Sequence, residues 1–184
     1  MDSPLRFIDR SITLRQLLWL IPLVLTLHNI EEALTMPRWV MANLGPVQRA
    51  IPFGIGFQFS PAQLLASLSL ATLIPFVVTI LCARGEKESK RVYVLLLLQA
   101  IVLINVFAPH LFWSIRTLQY NPGLVTALCV NLPFSVYLFR RSYREGYIGV
   151  RAFVPLFLLA ALLYPLVAWL LHGSGELIAK SFAF

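Results

Sequence analysis

The chain has 184 residues, of which 59% are hydrophobic and 12% charged, against roughly 25% charged in soluble domains. That balance excludes an ordinary soluble domain and points to an integral membrane protein. The net charge of +7 would suit nucleic acid in a soluble protein, but here the basic residues fall between apolar runs, where topology accounts for them. No nucleic-acid partner is expected.

The opening Met-Asp-Ser-Pro-Leu-Arg has neither a basic leader nor a small-residue cleavage site, so the first apolar run reads as a retained span. Five apolar stretches are long enough to cross a bilayer: 14–36, 61–83, 92–115, 122–139 and 150–172, the fourth being short. No internal repeat interrupts them, and residues 1–184 read as one membrane-embedded helical domain. The fold class is therefore all-α, a bundle of five transmembrane helices. With five spans, the N-terminal segment and the second and fourth connections share one side. They hold eleven of the basic residues, from Arg6, Arg10 and Arg15 to Arg144 and Arg151. The positive-inside rule then sets the N-terminus in the cytoplasm and the C-terminus outside. A compact chain of this kind fits a bacterial inner membrane.

The first connection, 37–60, opens with Arg38-Trp39-Val40-Met41-Ala42, expected as an interfacial turn or short helix. It then carries Phe53-Gly54-Ile55-Gly56-Phe57-Gln58-Phe59, read as an interfacial anchor or a cover over a cavity. Cys82 and Cys129 make no zinc pattern. Serine-nucleophile and nucleotide signatures are absent from the sequence.

The first span ends in His28-Asn29-Ile30-Glu31-Glu32. A carboxylate inside a spanning helix costs roughly 2.5–3.5 kcal/mol on insertion scales and normally needs a partner and a purpose. Helical spacing brings His28, Glu31 and Glu32 to one side. By helical rise His28 lies about 21 Å into its span and Glu32 about 27 Å, while Asn105 and His110 reach about 20 and 27 Å in theirs. Tyr164 comes to about 21 Å. No Lys or Arg lies at the depth of the two glutamates, so a divalent cation held by His28, Glu31 or Glu32, and His110 would balance them. Imidazole and carboxylate ligands suit zinc, iron or manganese. The remaining glutamate would serve as acid–base, Asn105 as orienter and Tyr120 as a donor at the cavity mouth. Pro109 leaves the Asn105 carbonyl without its helical donor and tends to kink the helix there.

The expected function is an intramembrane enzyme acting on an apolar or lipid-like small molecule, by hydrolytic or oxidative chemistry at a divalent metal. Two other readings fit the same residues. One is a metal-free isomerase or lipid cyclase using a protonated Glu. The other is a small proton-coupled transporter or lipid-binding protein.

Three short patterns run in order: His28-x-x-Glu31-Glu32, then Asn105-x-x-x-x-His110, then Tyr120-x-Pro122-Gly123. In these the chain resembles the HXXEE-motif membrane proteins, a family without an assigned function, over roughly residues 14–141. The resemblance implies that His28, Glu31, Glu32, Asn105, His110 and Tyr120 form one site. Pro122 suits the first turn of a helix, and Gly123 permits close approach at a helix N-terminus, whose dipole favours an anion.

Overall fold

A computed structural model describes Asp9, residues 11–43, Gly45 and residues 60–182. The aromatic 53–59 segment lies outside the described residues. All regular structure among the described residues is helical. Helix α1 is Leu14–Ala42, α2 is Pro61–Cys82, α3 is Lys90–Thr117, α4 comprises residues 124–144 and α5 is Val150–Phe182.

The helix starts are written in the sequence. Thr13 and Gln16 form a reciprocal capping box at α1. Ser60 caps α2 with Pro61 in the first turn, and Ser89 caps α3. Two helices run further than the sequence suggests. α1 passes through Pro37 and absorbs 38–42, where the Trp39 indole donates to the Tyr120 carbonyl at 3.1 Å. α5 continues beyond His172 to Phe182, with a Lys180–Glu176 pair on its last turns. α4 begins later than expected. Gly123, at φ +82°, is its N-cap, and Pro122 stays in the preceding turn.

Four helices, α1, α2, α3 and α5, are long and apolar enough to cross a membrane, which marks the chain as a membrane protein. The fourth expected crossing, α4, is broken by a π turn at Ala127–Asn131, and its last stretch holds Arg140, Arg141 and Arg144. Outward-facing Leu34, Leu73, Ile80 and Leu162 give the bundle an apolar exterior, which only lipid solvates well.

The bundle divides into two halves. At the end bearing Asp9 and Ile148 the interior is mainly apolar: Leu14, Leu18 and Ile21 pack with Val92, Leu95, Leu96, Leu138, Leu156 and Ala160. This end is tied at its rim by Arg141. It donates to the Ile12 carbonyl at 2.9 Å and to Glu145, and Asp9 accepts from Tyr137 and Arg144. Polar side chains collect in the other half, towards Trp39 and Tyr120.

Candidate functional site

The site begins with a change of helical pitch. In an α-helix, residues five apart point about 140° away from each other. In a π turn the backbone bonds run from i to i+5, so such residues become neighbours. α3 makes this change at Val106–Leu111, around Pro109. Pro109 lacks the N–H that would complete the α-helical pattern. The expected kink is thus a π turn, and it brings Asn105 Nδ2 to 2.9 Å from His110 Nε2.

The same amide nitrogen lies 3.4 Å from His28 Nε2. Asn105 Oδ1 accepts from the Tyr164 hydroxyl at 3.0 Å, which fixes the amide with its NH2 turned to the histidines. One NH2 thus faces two imidazole nitrogens, and donating to both requires both Nε2 atoms to be unprotonated. Both lone pairs face the Asn105 amide nitrogen. Glu32 Oε1 lies beside the two rings, 3.5 Å from His110 Nε2 and 3.8 Å from His28 Nε2. The imidazoles meet edge to face at 4.8 Å between centroids. His28 and His110 are 1% and 2% exposed and Glu32 8%.

His28 is held from behind by Thr126, whose Oγ1 lies 2.9 Å from Nδ1. A hydroxyl has one proton to give. Thr126 gives its proton to Glu31 Oε2 at 2.5 Å, so it must accept from His28 Nδ1–H. That assignment, made from the network, leaves Nε2 as the free lone pair. Two independent sets of contacts therefore agree on the tautomer.

Glu31 parts from its neighbour. Its carboxylate accepts from the Tyr120 hydroxyl at 2.7 Å, from Val125 N–H at 3.2 Å and from Thr126 N–H at 2.7 Å, besides the Thr126 hydroxyl. The reason is local. Gly123 as N-cap brings no side-chain oxygen, so the first N–H groups of α4 need an acceptor from elsewhere. Glu31 supplies it. The anion expected at this helix N-terminus is the protein's own carboxylate.

The sequence-derived residues thus fall into two groups. His28, Glu32 and His110 offer ligand atoms within 4.8 Å of one another, and Asn105 bridges the histidines. Glu31 and Tyr120 bond to each other beside this group, tying α1 to the segment that covers it. A Cβ built on Gly123 would fall 2.8 Å from both His28 Cε1 and His110 Cε1 and 2.9 Å from Glu32 Cγ. The backbone therefore lies directly on the three side chains. Asn121 anchors the same segment by donating to the Pro109 carbonyl at 2.8 Å. Thr126 was not legible from the short patterns. Its signal was its place, three residues beyond a glycine that starts a helix.

The comparisons with known proteins follow this geometry. The family model described as "Protein of unknown function with HXXEE motif" matches residues 19–138, which hold every residue of the site except Tyr164. The chain is also similar to "Uncharacterized protein YrkK" of Bacillus subtilis (strain 168), at 30% identity over 109 residues. That match covers 59% of this chain and 63% of the relative, so less than two thirds of the relative is spanned. No solved structure matches the chain. The extent of the family match, carried by the residues that build the site, places the chain in the HXXEE-motif family of proteins of unknown function.

Proposed function

We propose that this protein is an intramembrane metalloenzyme in which His28, Glu32 and His110 hold a divalent cation, zinc, iron or manganese. The observation that carries this reading is the grouping of two imidazole nitrogens and one carboxylate oxygen, all buried, within 4.8 Å of one another. Tetrahedral bonds of about 2.0–2.1 Å put neighbouring ligand atoms about 3.3 Å apart; the separations from Glu32 are 3.5 and 3.8 Å and all three ligand atoms lie within 4.8 Å, so the histidines would draw together around the ion. Two histidines and one carboxylate form a donor set that leaves coordination positions open for chemistry. When bound, the cation would supply an activated water or a polarised oxygen, in hydrolytic or oxidative chemistry.

The chain's own residues have distinct parts in this reading. Asn105, steered by Tyr164, orients the histidines. Glu31 and Tyr120 hold the 120–126 segment, and Thr126 keeps His28 in its ligating tautomer. The substrate is apolar or lipid-like. What supports this is a cavity of ≈ 270 Å³ that reaches Glu32, Asn105 and Tyr164 and is otherwise walled mainly by aliphatic side chains of α1, α2, α3 and α5.

We further propose five crossings, with α4 as the fourth, the N-terminus cytoplasmic and the C-terminus outside, in a bacterial inner membrane. The basic segments on one side support the orientation.

A metal-free acid–base isomerase or cyclase is the second reading. It is favoured by the Asn105 amide, which partners the Nε2 atoms of both imidazoles without a cation. Elemental analysis of purified protein separates the two. Near-stoichiometric zinc, iron or manganese, lost in His28→Ala and Glu32→Gln, supports the metal centre. A folded wild type that takes up none of them after reconstitution sinks it. A proton-gradient-driven accumulation of unmodified solute would instead identify a transporter.

A further inference from the structure

The 120–126 segment closes one flank of the site, since Gly123 lies directly on His28, His110 and Glu32. The cavity meets the site from another flank. None of its lining residues belongs to that segment or to α4. The cavity reaches Glu32 and Asn105 from between α1, α2, α3 and α5.

The shape of the cavity is informative. Its lining runs from Leu25 to Met36 on α1, Leu64 to Pro75 on α2 and Leu98 to Pro109 on α3. At ~1.5 Å per residue, each wall is about 16 Å long. A volume of ≈ 270 Å³ spread over that length makes an elongated, mainly apolar channel. The Leu25, Pro75 and Leu98 end is wholly apolar and abuts the apolar core of Ile21, Leu95, Leu96 and Ala160. That end is blind. Glu32 and Asn105 each stand seven residues from it, about 10 Å along the helices. Beyond them, at the opposite end, the lining includes Ser67 and His172. Here α2 and α5 touch closely, because a Cβ on Gly175 would fall 2.8 Å from the Gln63 carbonyl oxygen.

We infer that the site takes a single-chain amphiphile, a fatty or prenyl chain with one polar end group. The tail fills the blind apolar end. The polar end lies level with Glu32, Asn105 and Tyr164, with Ser67 and His172 beyond it. The inference rests on the proposed metal centre only for what happens to the polar end; the chain-binding channel stands on its own walls.

Photolabelling tests it. The full-length protein in nanodiscs is labelled with decanol carrying a terminal diazirine, with a geraniol analogue bearing the same group, and with a diacyl phosphatidylcholine bearing it at the tail tip. The single-chain probes are expected to label residues around Leu25 and Leu98. Ala71→Phe, which fills the channel from α2, lowers that labelling about ten-fold, the equivalent of losing burial of two methylenes. Ala168→Leu does the same from α5 and guards against misfolding of the first variant. The stronger of the two single-chain labels identifies the chain as linear or prenyl. Labelling only of outward residues such as Leu73 and Leu162, equal in wild type and both variants, would overturn the proposal. So would blind-end labelling by the diacyl probe. Metal content is measured on the same samples. Loss of the metal reading with blind-end labelling intact leaves the channel standing, and the converse isolates its failure.

Discussion

Glu31 and Glu32 are adjacent in sequence and serve different elements: Glu31 caps α4 through the amides of Val125 and Thr126, and Glu32 faces the Nε2 atoms of both histidines. Their substitutions should therefore separate. Glu32→Gln is expected to abolish stoichiometric metal while leaving the melting temperature little changed. Glu31→Gln weakens a carboxylate that accepts four hydrogen bonds, and bonds to charged groups are worth about 1.5–3 kcal/mol. It should lower the melting temperature and retain metal in the fraction that stays folded. Elemental analysis beside a thermal melt reads both. Equal metal loss in the two variants would refute this division.

Gly123→Ala tests the cover. The position has φ +82°, where an L side chain costs about 1–2 kcal/mol before any clash. The added methyl would also collide with three buried side chains, two of them aromatic rings held by hydrogen bonds. The expected result is a loss of about 2 kcal/mol or more in stability together with loss of metal. Gly146 supplies the control. It too has positive φ, but nothing lies within 4 Å of an added Cβ, so Gly146→Ala should show the backbone cost alone. Equal melting temperatures for the two variants would show that the contact with the histidines is unimportant.

Much of this arrangement was legible because burying charge in a membrane is expensive. His28, Glu32, Asn105, His110 and Tyr164 matched in depth, and the structure brings all five together. What could not be read was the division between the glutamates. Helical spacing puts both near His28, and only the start of α4 at a glycine cap, decided by tertiary packing, draws Glu31 away. The Asn105–His110 contact was hidden for a similar reason. Five residues is the wrong interval for an α-helix, and Pro109 signalled a distortion without saying that it would be a π turn. The overrun of α1 and α5 reflects a bundle that supports helix beyond the apolar runs on which the spans were read.

The opposite rim carries a pH-dependent clasp. Asp9 lies ahead of α1 and is held below its ordinary value of 3.8, chiefly by the Tyr137 hydroxyl, with Arg141 and Arg144 adding to the effect against partial desolvation. A depressed carboxylate contributes stability that is present above its unfolded pKa and lost as pH falls through its folded pKa. Asp9→Asn should therefore lower the melting temperature at pH 7. The difference from wild type should close as the pH drops below about 4. A difference that persists at low pH would place the effect in packing and not in the charge. Arg144→Ala should show the same trend with a smaller amplitude, because its guanidinium is largely exposed and its single contact with Asp9 is screened by solvent.

Thr126 offers the sharpest test of the metal reading, because it touches no proposed ligand atom that would bind the cation. Its hydroxyl joins Glu31 Oε2 to His28 Nδ1, and partners that orient a ligating imidazole typically contribute 10–100-fold in metal affinity. Thr126→Val keeps the volume and the backbone N–H to Glu31 but removes the hydroxyl that accepts from His28 Nδ1–H. Thr126→Ser restores the hydroxyl and removes only a methyl. The expected order of zinc affinity is wild type, then Ser close behind, then Val lower by about 10–100-fold. A purely structural role for Thr126 would move the melting temperature and leave the imidazole alone. Solid-state nitrogen NMR of labelled His28 distinguishes the two. Wild type and Thr126→Ser should show the Nδ1–H form, and Thr126→Val should show it diminished. An unchanged tautomer in the valine variant would remove Thr126 from the chain of contacts that prepares His28 for a metal.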